Sequence, residues 1–136
     1  MPEFARLSFP SYVPRIENIL TSPVAKVDSG GAAGTYENTY DLGELRRIIE
    51  IVIEYGGTYA SGVTEELYVY ISVDGEEWEE IAHLYNFLGQ SGTFKERIAV
   101  DGKMARYIKL VLTLDGNEQV YAQVNEIYTE IYKPVM

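Results

Sequence analysis

The chain has 136 residues, 46% hydrophobic and 24% charged, the size and composition of one globular domain that buries a core without staples. Its 21 Asp and Glu against 11 Lys and Arg leave a net charge of −10, a field that repels nucleic-acid phosphates and anionic lipid surfaces. With no cysteine, disulfides, thiolate metal sites and cysteine nucleophiles are excluded.

Residues 1–15 read as an extended N-terminal arm ahead of a single domain over 16–136. Pro2, Pro10 and Pro14 block a helix and remove ladder donors. Phe4, Leu7, Phe9 and Tyr12 recur along the arm and make it too apolar to stay free in water. It therefore docks, either on its own domain or as a clasp on a neighbouring subunit. These residues hold no apolar run of the kind a secretory signal needs, and no stretch of the chain is long and apolar enough to insert in a membrane.

From Ile16 onward the pattern is of short strands between turns. Strands are expected at about 16–27, 35–41, 45–55, 67–74, 79–84, 93–100, 105–114 and 124–133. Turn signals separate them at Gly30-Gly31, Gly56-Gly57, Asp74-Gly75, Ser91-Gly92, Asp101-Gly102 and Asp115-Gly116-Asn117. Leu67, Val69, Ile71 and Val73 alternate with Tyr68, Tyr70, Ser72 and Asp74; Ile108, Leu110, Leu112 and Leu114 alternate with Tyr107, Lys109, Val111 and Thr113. Period two places one set on a core face and the other outside. Over 45–55 the apolar residues also fit a helical stripe, but the β-branched run at 48–53 favours a strand. The expected fold is all-β: an antiparallel β-sandwich of about eight strands with jelly-roll character.

Three segments, in order, resemble the discoidin family, the coagulation-factor type C domains and related galactose-binding-like modules. They are Asp41-Leu42-Gly43 with the strand that follows, Tyr70-Ile71-Ser72-Val73-Asp74-Gly75 leading to Trp78, and Arg106-Tyr107-Ile108-Lys109-Leu110 with Val124-Asn125-Glu126-Ile127. The resemblance covers about residues 36–132, and similar segments occur in phage tail-fibre and surface proteins. It implies framework roles for Arg106 and Tyr107, and a Trp78 that caps the core beside Ile108, Leu110 or Leu112. It also implies a calcium loop, in which Asp28 and carbonyls of 28–34 would be closed by Glu126; otherwise no cofactor is expected. Tyr36 stands where the family has tryptophan, and the terminal cysteines of the coagulation-type domains are absent.

The 12 tyrosines offer rigid amphipathic area suited to sugar stacking or protein interfaces. Tyr36, Tyr40, Tyr59, Tyr85 and Phe87 fall at expected loops or strand ends and are the candidate ligand-binding residues. Catalytic residues are not expected. His83 is the single histidine and sits in a strand; G-x-S-x-G, H-E-x-x-H and Walker patterns are missing; Glu76-Glu77-Trp78-Glu79-Glu80 reads as a solvated face.

Two functions follow. The first is a non-catalytic structural or attachment protein of a larger assembly, a phage or virus tail, fibre or capsid component made in the cytoplasm, whose partners are copies of itself or other structural proteins. The alternative is a carbohydrate-binding module of a secreted enzyme or adhesin, extracellular, whose partners are glycans.

Overall fold

A computed structural model of the chain describes residues 11–135, with side chains described over 15–131. Seven strands are present: β1 (Ser11–Asn18), β2 (Val24–Asp28), β3 (Gly34–Thr58), β4 (Glu65–Ser72), β5 (Glu79–Tyr85), β6 (Gly92–Leu114) and β7 (Gln119–Val135). All the pairings are antiparallel, in the order β1-β7-β3-β6-β4-β5, with β2 also on β7.

Two strands are too long for one flat sheet. β3 has 25 residues and β6 has 23, and they pair along nearly their whole length. Their register shifts between Asp41 and Arg46 and again between Ile48 and Glu50. There Gly43 (φ 88°), Asp101 (φ 59°) and Gly102 (φ 84°) take the left-handed conformation. Bulges of this kind bend a strand without ending it. The bend divides the fold into two leaves. One holds β5, β4, the second half of β6 and the first half of β3; the other holds the remaining halves of β6 and β3 with β7, β1 and β2.

The bend also corrects the strand count. The Asp101-Gly102 signal belongs to a corner, so 93–100 and 105–114 are one strand, and 35–41 and 45–55 likewise merge. The expected strand at 16–27 is instead two, parted by 19–23, where Asn18 Oδ1 accepts from Leu20 N at 3.1 Å and from Ile127 N at 3.0 Å. The segment 45–55 is strand throughout.

The core lies between the leaves. Leu67, Val69, Ile71, Ile108, Leu110, Leu112 and Leu114 face Ile51, Ile53, Val120, Ala122, Val124 and Ile127 in one buried cluster. The alternation in β4 and β6 runs as expected through Ile71; Ser72, expected outside, is buried, and Val73, past the strand end, is 54% exposed.

Phe4, Leu7 and Phe9 lie outside the described residues. Residues 11–15 fall within β1, paired on β7 of the same chain, with Tyr12 opposite Pro134.

Asp41 and Arg106, from two of the resembling segments, meet across β3 and β6. Arg106 Nε and Nη2 donate to the two Asp41 carboxylate oxygens at 2.9 and 3.0 Å. That bidentate contact, with the Gly43 N–H at 2.8 Å, holds the Asp41 carboxyl below its ordinary value.

Glycines close the far end of the same pair. A Cβ on Gly57 would stand 1.9 Å from the Gln119 carbonyl oxygen, and one on Gly56 2.4 Å from that of Gly92. Gly57→Ala is expected to destabilise the protein by about 3 kcal/mol, as overpacking does. Gly89→Ala, with open space around it, should stay within about 0.5 kcal/mol of wild type in the same urea melts.

Candidate functional site

Four loops gather at one end of the sandwich. β2, β5 and the outer half of β6 end there, and β3, β4 and β7 begin there. The loops are 29–33, 59–64, 86–91 and 115–118. They are bound to one another: Ala33 N donates to Asn117 Oδ1 (3.1 Å), Tyr59 N to Ser91 Oγ (2.9 Å), Thr64 N to Asp115 Oδ1 (2.7 Å) and Ala60 N to Glu118 Oε2 (2.7 Å). β7 starts at this end and runs away to the Ser11–Val135 pairing, so both ends of the described chain leave from the opposite side.

A cleft of 290 Å³ opens between these loops, lined by Tyr59, Thr64, Glu65, Asn86 and Leu88 among others. Tyr59 is 44% and Tyr85, next to Asn86, 59% exposed. Phe87 comes to this end too, half-buried, its ring edge-on to Tyr55 at 4.9 Å. Tyr36 lies by the first loop, half-buried, its hydroxyl donating to the Ala32 carbonyl at 2.8 Å. Tyr40 is not brought here: it packs against the core opposite Ile108, near the bend.

Beneath the cleft lies a feature that the sequence reading passed over. Glu65 and Glu118 are 1% and 3% exposed. Glu65 Oε1 accepts from Leu88 N at 2.7 Å, and Glu118 Oε2 accepts from Ala60 N. The two carboxyls act on each other, and each keeps a second oxygen, Glu65 Oε2 and Glu118 Oε1, that is buried without a hydrogen-bond partner. Burial, and then the neighbouring Glu118 carboxyl, push the Glu65 carboxyl up to about 7. Glu65 and Glu66 stand just ahead of the strand expected at 67–74. Parity was the available signal: Glu65 shares the inward phase of Leu67 and Val69, and Glu118 that of Val120 and Ala122.

The outer face of the β4–β5–β6 leaf carries a second group of rings. Tyr68 stacks on His83 (4.3 Å, 7°) and beside Tyr70 (6.0 Å, 17°), and His83 meets Tyr85 edge-on at 6.5 Å. The Lys109 ammonium lies 5.4 Å from the Tyr70 ring centre and 4.1 Å from that of Trp78. These rings spend their faces on each other. His83 pairs with Glu66 at 3.3 Å.

Trp78 does not cap the core. It is half-buried on this outer side, and with Asp74, Glu77 and Met104 it lines a second cleft of 270 Å³ near the bend. The reason is the loop before it: Asp74 Oδ1 accepts from Glu76 N and Glu77 N, and Ser72 Oγ accepts from Gly75 N, a wrap that delivers Trp78 to the face opposite Ile71 and Ile108.

Asp28 and Glu126 are not brought together. Asp28 Oδ1 accepts from Gly30 N and Gln119 Nε2, and these bonds, the Gly30 N–H foremost, hold its carboxyl below the ordinary value. Asp28 pairs with Tyr121, whereas Glu126 lies five residues further along β7, about 16 Å at strand rise, and accepts from Tyr128. These two residues do not fit one calcium cradle. Among the described residues, no three His, Cys, Asp or Glu side chains group as a metal site. A chelator is accordingly expected to leave the thermal midpoint unchanged, in contrast to the loss that follows when a native-state ligand is stripped.

Residues 26–127 match the F5/8 type C domain profile, three quarters of the chain. The chain belongs to the F5/8 type C domain family. No curated protein matches it. Among solved structures, it is similar to a pectin-binding carbohydrate-binding module (20% identity, 89% of this chain and 91% of that one, TM-score 0.50). It is similar also to a mutant of chitosan-binding module 1 from a chitosanase/glucanase of Paenibacillus sp. IK-5 (13% identity, 88% and 95%, TM-score 0.52). The C-terminal domain of a chitobiase from Bacteroides fragilis is 27% identical, with 76% of this chain and 66% of that one covered and a TM-score of 0.42. The F5/8 type C assignment and the likeness to the pectin-binding and chitosan-binding modules agree with the discoidin-like fold expected from the three segments.

A Trp78 on the outer face carries less of the stability than a core tryptophan. Trp78→Ala is expected to cost about 1 kcal/mol, the scale of an exposed cation–π contact, against about 3–5 for a core aromatic. Chemical denaturation of the two proteins distinguishes these values.

Proposed function

We propose that this F5/8 type C domain is a non-catalytic carbohydrate-binding module of an extracellular protein, and that it takes its glycan at the loop end beside Tyr59 and Tyr85. The observation that carries the reading is the cleft there. It joins the exposed Tyr59 ring to amide and hydroxyl groups of Asn86 and Thr64, with the exposed Tyr85 next to Asn86, on the side from which neither end of the described chain departs. Sugars need that mixture, an apolar ring for their C–H face and polar groups for their hydroxyls. A module of the same fold is named for binding chitosan, which supports the reading by analogy; fold alone assigns no ligand.

Charge narrows the class. The net charge is −10, and Asp28, Asp115 and Glu66 stand at this end. A polyuronate would be repelled, so the ligand is a neutral or amino-bearing polysaccharide.

The chemistry favours binding over hydrolysis. Glu65 and Glu118 are almost fully buried and each is held by a loop amide, whereas a glycosidase needs its two carboxyls open to a bound glycoside. The virion-component reading, with residues 1–15 as a clasp between copies, ranks second. The family match and the fold neighbours support a glycan module and lend nothing to a tail, fibre or capsid part.

An oligosaccharide array holding neutral, amino and uronic glycans tests this. Wild type should retain neutral or amino glycans, and Tyr59→Ala with Tyr85→Ala should weaken retention about 10-fold, the worth of an aromatic contact or two. A blank array, signal confined to uronates, or an unaffected double variant would sink the proposal.

A further inference from the structure

We propose that the buried Glu65–Glu118 pair is a proton-operated clasp: it holds the loops of the Tyr59–Asn86 cleft together while a proton is shared between the two carboxyls, and releases them when that proton is lost. The glycan arm of the proposal rests on the reading of this cleft as the binding site; the clasp itself does not.

The geometry makes the pair a junction for all four loops. Glu65 Oε1 holds Leu88 N, and the Glu65 carbonyl holds Asn86 N at 2.8 Å, both from 86–91. Glu118 Oε2 holds Ala60 N of 59–64. The Glu118 carbonyl accepts from Ser29 Oγ at 2.6 Å, reaching the 29–33 loop, and Glu118 itself belongs to 115–118. Each carboxyl thus spends one oxygen on a loop amide. The remaining oxygens, Glu65 Oε2 and Glu118 Oε1, are buried without a hydrogen-bond partner, on two carboxyls that act on each other.

Two carboxylate oxygens attract only through a proton, since an ionised carboxylate donates nothing. The charged groups that act on Glu65 are both acidic: Glu118, and Asp115 of the same loop, which itself accepts from Thr64 N. Among the described residues, no basic group acts on Glu65. The second ionisation would place two like charges in contact, out of water, and separate the segments that carry Ala60 and Leu88.

The direction of the pH effect follows. Glu65 titrates at about 7 in the fold against 4.5 in an open chain. A carboxyl raised in this way favours the folded, closed state fully below about 4.5, and that contribution falls away as pH rises through 7. The cleft is therefore closed and competent in mild acid and loosened above neutrality.

Hydrogen exchange of the full chain reads the clasp without any glycan. After correction for the intrinsic rate, exchange at Ala60 and Leu88 is expected to quicken about tenfold or more between pH 6 and pH 8.5, while core amides such as Leu110 hold. In Glu118→Gln, an amide can keep Ala60 N on its oxygen and donate its NH₂ to Glu65, so protection should become independent of pH; Glu65→Gln serves the same purpose should the first variant fold poorly. On the oligosaccharide array, wild-type signal should drop several-fold at pH 8.5, and that of the Gln variant should not.

Equal protection at both pH values, or a Gln variant that keeps the wild-type pH dependence, overturns the clasp. A blank array alongside pH-dependent protection leaves the clasp standing and overturns the glycan reading. Array binding insensitive to pH, with protection unchanged, does the reverse.

Discussion

The pairing of β3 with β6 is the constraint on which the rest depends. Each strand runs through both leaves, and the two bend together at the Gly43 and Asp101–Gly102 bulges. Because the same pair serves both leaves, the leaves cannot separate without unpairing their longest ladder. The Asp41–Arg106 contact braces one side of the bend, and the close approach of Gly56 and Gly57 to β6 and β7 finishes the other end. A bulge supplies curvature where a reversing turn would have ended the strand.

That bend determines where functional groups gather. Strands that turn the corner deliver their far ends to one rim, so loops distant in sequence become neighbours. Ala33 reaches Asn117 and Tyr59 reaches Ser91 only because β2–β3, β3–β4, β5–β6 and β6–β7 connections all arrive at that rim. The stacked rings of the outer leaf are a different kind of aromatic surface. Tyr68, His83 and Tyr70 cover one another, and Lys109 covers Trp78, which leaves ring edges rather than ring faces to solvent. Tyr59 and Tyr85 remain exposed: Tyr59 lies in a loop beyond the β3 end, and Tyr85, at the end of edge strand β5, stands across from Glu66 with only the His83 ring edge-on to it.

Much of the fold was legible in the chain. Alternation in β4 and β6 named their core faces correctly, the β-branched run at 48–53 settled strand against helix, and the three ordered segments pointed to the discoidin-like family. The misreadings have two causes. A glycine with positive φ serves a turn, a bulge or a corner equally well, so Asp101-Gly102 and Gly43 were indistinguishable from chain reversals. Trp78 was misplaced because a loop's wrap, here set by Asp74 and Ser72, decides which face the next residue joins.

What the sequence determined by itself was local and periodic: strand character, inward parity, an acidic surface and the absence of thiol chemistry. Even the inward phase of Glu65 and Glu118 was written in that parity. Tertiary structure alone decided that these two glutamates, 53 residues apart in sequence, meet beneath one cleft, and that Asp28 and Glu126 do not meet at all. The physical reason is that alternation fixes which side of a strand a residue faces, whereas the bend of β3 and β6 and the register on β7 fix how far along the sheet it stands. A charge-bearing site needs both coordinates, and only the second is absent from the pattern of residues.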